Sequence, residues 1–375
     1  MTKTEFNGKA LYRWEPSDGA AVFLGSYVLK LLLQVIIVIV LGVTDVDPAF
    51  SKTIAYACII TSSNEIAFLL TPLAYGKIKG YDTIRGMGFE GRFSLWATLL
   101  VIPLSVALIC MGQPLAEGFV RLVALIGYDT SAATSIMPST PGELAATLIL
   151  VALLPAIAEE YVFRGCVARA FARKGYVFSV FMSALLFAIM HGSPLQLVHQ
   201  FLIGVVCAVL FFATRSLWPP IILHFLNNAI ALVLGYVQNR GSAFAVTEAW
   251  QYVVMCVVGV AATIGLLIAV IYLCKARAAK VDPESGAAKR ADMERTLRSL
   301  YESPEVRGAA QAELDALDAE LAEAKSEQMA EVIKEARRES ANKTKLRDRR
   351  ALIYAFLFAG VLWILMFILN IAGVQ

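Results

Sequence analysis

Long apolar runs separated by short polar connections predict membrane-crossing helices rather than the periodic half-apolar faces of a soluble fold. Nine such runs fall at roughly 20–43, 53–75, 93–112, 142–173, 176–191, 196–213, 217–238, 250–274 and 351–372. After the third, the stretch 115–126 (LAEGFVRLVALI) alternates weakly at helical spacing and predicts a helix lying along the outer interface. Between 275 and 350 the apolar runs vanish and acidic and basic residues become nearly balanced. Beyond Pro304, the residues Leu314, Leu317, Leu321, Ala324, Val332 and Ile333 form a narrow apolar stripe at helical spacing. The segment reads as a charged helical insertion: a solvated hairpin between two spans, with a docking surface for a protein partner as the sharper alternative.

Composition agrees with the pattern. The chain has 375 residues, 58% hydrophobic and 17% charged, with a mean hydropathy of +0.66. The fold class expected is all-α, a polytopic transmembrane helical bundle with a charged cytosolic insertion. The first span lacks a small-residue cleavage site and outruns a leader's apolar core, so it reads as a true span. A net charge of +3 gives no reason to expect nucleic acid as a partner. Placement of Lys and Arg says more. Lys3, Lys9 and Arg13, then Lys77, Lys79, Arg85 and Arg92, then Arg169, Arg173 and Lys174 mark one side as cytosolic. Nine spans from a cytosolic N-terminus put the insertion in the cytosol and the C-terminus outside, in a membrane read as a bacterial plasma membrane. The six cysteines lie in or beside apolar segments without a CxxC pair and read as buried thiols.

Charges inside the spans call for an explanation. Lys30 lies ten residues into the first run and Glu65 ten from the end of the antiparallel second. Both fall about 15 Å from the cytosolic boundary at the helical rise, which reads as a structural ion pair between two helices. Ser62, Ser63 and Asn64 extend that polar patch.

The densest chemistry lies between 151 and 234, which holds all three histidines. Glu159 and Glu160 are followed by Arg164, four residues after the second. Phe187 precedes His191 by four, and His224 precedes Asn228 by four. If the fourth run turns back at Lys174–Gly175, Glu159 stands about 21–23 Å and His191 about 24 Å from that turn, one level on neighbouring helices. The helix carrying His191 stops at Gly192-Ser193-Pro194, and a break at that depth implies a wet cavity or protein around it. A carboxylate beside a histidine in an apolar cavity can take a proton from water. A second histidine and an amide can hold an oxyanion. Glu159, His191 and His224 also make a plausible zinc set with water as the fourth ligand. The cofactor therefore stays open between a divalent metal such as zinc and none. His199 matches no element of this pattern and reads as structural or cavity-lining, although its spacing from His191 leaves a metal or relay role open.

EEYVFR at 159–164, FAIMH at 187–191 and HFLNN at 224–228 resemble, in order, the EExxxR, FxxxH and HxxxN elements of the CAAX prenyl protease and bacteriocin-processing family. The lead-in RSLWPPIILHFLNN is similar as well, and the resemblance covers 147–238 closely. It implies a helical intramembrane endopeptidase in which Glu159 activates water with His191, Glu160 and Arg164 hold the site, and His224 with Asn228 stabilises the oxyanion. It implies the lipid bilayer and a membrane-anchored peptide or protein as partners; bacterial relatives are associated with bacteriocin processing and self-immunity. The organisation expected is 1–141, three spans and an interfacial helix; 142–274, the catalytic core; 275–350, the insertion; and 351–375, a last span. The insertion and that last span depart from the family core.

Two other classes compete. A non-catalytic immunity or scaffold protein of the same fold has no need of Glu159, His191, His224 and Asn228 together. An ion-coupled transporter predicts paired broken helices in two related halves, and the sequence shows no such symmetry. No HExxH, GxGD or GxSG motif points to another intramembrane protease class.

Overall fold

The computed structural model describes residues 5–6, 9–10, 14–44, 46–80, 83, 87–89, 95–130, 137–241, 248–280, 348, 350–361 and 363–364. Residues 1–272 with 350–375 form one compact unit, and 273–349 a second. The stripe from Leu314 to Ile333 and the last span beyond 364 lie outside the described residues. Apart from a two-residue antiparallel pairing of Glu5–Phe6 with Lys9–Ala10, the described architecture is helical.

The helices are α1 (Pro16–Val43), α2 (Ile54–Lys79), α3 (Leu95–Leu125), α4 (Pro141–Lys174), α5 (Tyr176–Met190), α6 (Leu197–Thr214), α7 (Trp218–Gln238), α8 (Ala249–Lys280) and α9 (Arg350–Val361). Among the described residues seven helices are long and apolar enough to cross a membrane. α5 and α9, which correspond to the fifth and ninth apolar runs, are shorter. Side chains such as Val35, Ile36, Val38, Ile39 and Val43 on α1 are exposed, as a surface facing lipid tails would be. The protein is a multi-pass membrane protein.

Local chemistry fixes the helix ends. Thr53 caps α2 by accepting from the Tyr56 amide at 3.2 Å, and Thr140 with Glu143 forms a reciprocal capping box ahead of Pro141 on α4. The turn from α4 to α5 needs a positive φ, which Gly175 supplies at +116°. The stretch 115–126, expected as a separate interfacial helix, is instead the continuation of α3. That helix runs unbroken for 31 residues with Pro103 and Pro114 inside it.

α1 packs on α2 and on the middle of α4, α5 on α6, and α7 on α3, α4 and α6. The α5–α6 contact is close because Gly204 has no side chain. A Cβ there would lie 2.9 Å from both Cα and Cβ of Ala184. Gly204→Ala is expected to force the helices apart and cost about 1–3 kcal/mol of stability, measurable as a lower unfolding midpoint in detergent.

Two helix starts matter for the site. α1 begins at Pro16, four residues ahead of the apolar run, with Asp18 closing a box on the Glu15 amide at 2.8 Å. α2 continues to Lys79, four residues beyond its run. Tyr75 donates to Asp18 at 2.6 Å and Arg173 approaches Glu15 at 3.7 Å, so these ends of α1, α2 and α4 share one level. Counted from there, Lys30, Glu65, Glu159 and His191 each lie about 21–23 Å into the bundle.

Candidate active site

Glu159 and Glu160 sit between two wide π-helical stretches of α4, Leu148–Leu153 and Tyr161–Ala168. Such turns are uncommon and concentrate at functional sites. The wide turn brings Arg164 back onto Glu160, with Nη1 donating to Oε1 at 2.7 Å and both side chains fully buried. Nη2 donates to the Gly204 carbonyl at 2.8 Å, and the guanidinium lies 4.8 Å from the centroid of the Phe187 ring. The close α5–α6 approach thus also delivers a carbonyl to the buried arginine.

His224 enters on α7, just past Pro219 and Pro220. Its Nδ1 is 3.0 Å from Glu160 Oε1 and its Nε2 is 3.8 Å from Glu159 Oε2. A carboxylate only accepts, so Nδ1 carries the hydrogen. Glu160, itself fixed by Arg164, therefore sets the ring with Nε2 toward Glu159. The buried Cys207 thiol donates to the Pro220 carbonyl at 3.7 Å. No role was expected for this cysteine, because it has no spacing signature.

His191 closes α5. Its Nδ1 lies 2.8 Å from the Phe187 carbonyl, which can only accept, so Nε2 is left with its lone pair. The Phe187 ring meets His191 at 4.9 Å and His224 at 5.6 Å, edge to face in both cases. One phenylalanine thus orients two imidazoles and covers the arginine. Phe187→Leu keeps the carbonyl but removes these ring contacts. It is expected to lower kcat about tenfold with little change in KM, read from steady-state cleavage kinetics.

The structure gathers Glu159, Glu160, Arg164 and His224 as a contacting set, with His191 joined to it through Phe187. Asn228 lies one turn beyond His224 on α7 and is half-buried. Its neighbour Asn227 is the buried one, and its Nδ2 lies 3.3 Å from His199 Nε2. Nδ1 of His199 faces Gly112 of α3. His199 thus lies between α3, α6 and α7.

Lys30 and Glu65 do not close the ion pair expected of them: no salt bridge joins them among the described residues. Lys30 Nζ donates to the Met190 carbonyl at 2.7 Å, and its charge acts on Glu159 more than on Glu65. Glu65 is buried on α2, which packs on the Leu154–Glu160 segment of α4, and its carboxyl lies beside that of Glu159. Lys30 and Glu65 do lie at one level, that of Glu159, but the Met190 carbonyl engages the Lys30 ammonium. Of the polar neighbours, only Asn64 bridges α1 and α2, accepting from Gln34 at 3.1 Å, whereas Ser63 bonds within its own helix.

Among the described residues no three His, Cys, Asp or Glu side chains are placed to hold one metal ion. Glu159, His191 and His224 are thus not gathered around a single point.

Residues 141–230 match the model of the family described as type II CAAX prenyl endopeptidase Rce1-like. No curated protein and no solved structure matches the chain.

Proposed function

We propose, from the match of residues 141–230 to the type II CAAX prenyl endopeptidase Rce1-like family, an intramembrane endopeptidase that hydrolyses a peptide bond of a membrane-anchored substrate with water activated by Glu159. The observation that carries this reading is the Glu159 carboxylate facing His224 Nε2 across 3.8 Å. In the proposed mechanism the attacking water bridges these two groups. Glu159 takes a proton from the attacking water, and His191 Nε2 accepts a hydrogen bond from the water's other O–H, whose hydrogen stays on the attacking oxygen. The oxyanion that forms on the scissile carbonyl receives hydrogen bonds from Asn228 Nδ2 and His224 Nε2. In that role His224 is the imidazolium, donating through Nδ1 to Glu160. The proton held by Glu159 then passes to the leaving amine as the carbon–nitrogen bond breaks.

The roles of Arg164 and Glu160 are electrostatic: they keep His224 in one orientation without touching substrate. The positive-inside bias supports a cytosolic N-terminus and an insertion, 275–350, available to a partner on that side.

The test is cleavage of membrane-anchored peptides by the purified protein in detergent, with and without a chelator. Cleavage that survives the chelator supports water activation by glutamate, and cleavage that the chelator stops assigns the activation to a metal. A well-folded protein that cleaves no peptide but captures a partner through 275–350 removes the peptidase reading in favour of a scaffold.

A further inference from the structure

We propose that the first two helices, outside the matched domain, supply two positioning residues to the site: Glu65 holds Glu159, and Lys30 holds the end of the helix that carries His191. The proposal rests on the reading that Glu159 and His191 serve the attacking water.

Glu65 is buried on α2, and α2 packs directly on the Leu154–Glu160 segment of α4. No donor from any other described group reaches the buried Oε2 atoms of Glu65 and Glu159. Two carboxyls side by side can join by a hydrogen bond when one of them carries the hydrogen. Contact with a neighbour on a second helix restricts the rotation of Glu159, whose remaining neighbour is His224 at 3.8 Å.

Lys30 is buried on α1, with an ammonium group as a donor and Met190 as its acceptor at 2.7 Å. Met190 immediately precedes His191 at the end of α5, where backbone carbonyls have no helical partner. A cation is electrostatically favoured at a helix C-terminus. Lys30 thus fixes the terminal turn from which His191 projects, and its charge also offsets part of the negative charge of Glu65 and Glu159. Three buried carboxyls, Glu65, Glu159 and Glu160, face the two buried cations Lys30 and Arg164. Removing either residue disturbs geometry and charge together at the reacting centre.

Glu65→Gln keeps a hydrogen-bond donor for Glu159, whereas Glu65→Leu removes it. Cleavage kinetics are expected to show kcat near the wild-type value for glutamine, and kcat down about a hundredfold with KM unchanged for leucine. Lys30→Met is expected to lower kcat in the same way, and it carries the test if the leucine variant fails to fold. Wild-type kinetics in both Glu65→Leu and Lys30→Met would overturn the proposal. If the wild type itself cleaves nothing, the peptidase reading fails and a second measurement still decides this one. The infrared band of the Glu159 carboxyl, identified by its loss in Glu159→Gln, should shift in Glu65→Leu and stay in place in Glu65→Gln. A band unmoved by Glu65→Leu overturns the contact whether or not the protein is a protease.

Discussion

Glu159→Gln is expected to reduce cleavage about 10²- to 10⁴-fold, the contribution a positioned general base makes to proton transfer. Glutamine keeps the size and an acceptor oxygen of the side chain, so substrate affinity should change little and the loss should fall on kcat. The same change should raise the unfolding temperature in detergent rather than lower it. Glu159 is a buried carboxylate crowded by Glu65 and Glu160, and active sites keep such groups at the expense of stability. A variant that is both more stable and inactive separates a catalytic role from a structural one. A variant that unfolds easily and still cleaves would reverse the assignment.

Arg164→Met should produce the largest loss of stability. Arg164 is among the largest fully buried side chains, and its pair with Glu160 is shielded completely from solvent. Deleting one member of a buried pair leaves the other charge uncompensated and costs about 3–5 kcal/mol. The carbonyl of Gly204 loses its donor as well. The double variant Glu160→Gln with Arg164→Met removes the stranded charge and should recover at least half of the lost stability, measured by unfolding midpoints of the two proteins. Its activity should stay low, because His224 then leans on a neutral amide. Stability and activity recovering together would mean that Glu160 contributes packing alone.

The elements with strong local signatures were legible in the sequence. Seven of the apolar runs are the seven long helices, because twenty apolar residues in a row leave the backbone few alternatives at membrane depth. The approach of Glu160 to Arg164 follows from their spacing on one helix. What spacing did not reveal are the contacts between helices. Equal depth points Lys30 and Glu65 at each other, but a backbone acceptor such as the Met190 carbonyl leaves no trace in the sequence. The Glu15–Asp18 box starts α1 earlier, and α2 runs on through Lys77 and Lys79 to Gly80. A four-residue error at each boundary moves a side chain by about 6 Å, enough to separate these residues from Glu159 on paper. α3 likewise outruns its apolar run, continuing through the weakly alternating stretch after Pro114 to Leu125.

Phe187 illustrates a different limit. Its spacing from His191 was visible, but the useful group is its carbonyl as much as its ring. Backbone acceptors have no sequence signature. Gly204 and Cys207 are legible only once α5, α6 and α7 are in contact, since each matters through what it allows a neighbour to approach.

The most direct test of the account is mass spectrometry of a membrane-anchored peptide incubated with purified wild-type protein and with Glu159→Gln in heavy-oxygen water. The account predicts one heavy oxygen in the new carboxyl group of the wild-type product and almost no product from the variant. An uncleaved peptide with folded wild-type protein, or cleavage by Glu159→Gln at the wild-type rate, would contradict it.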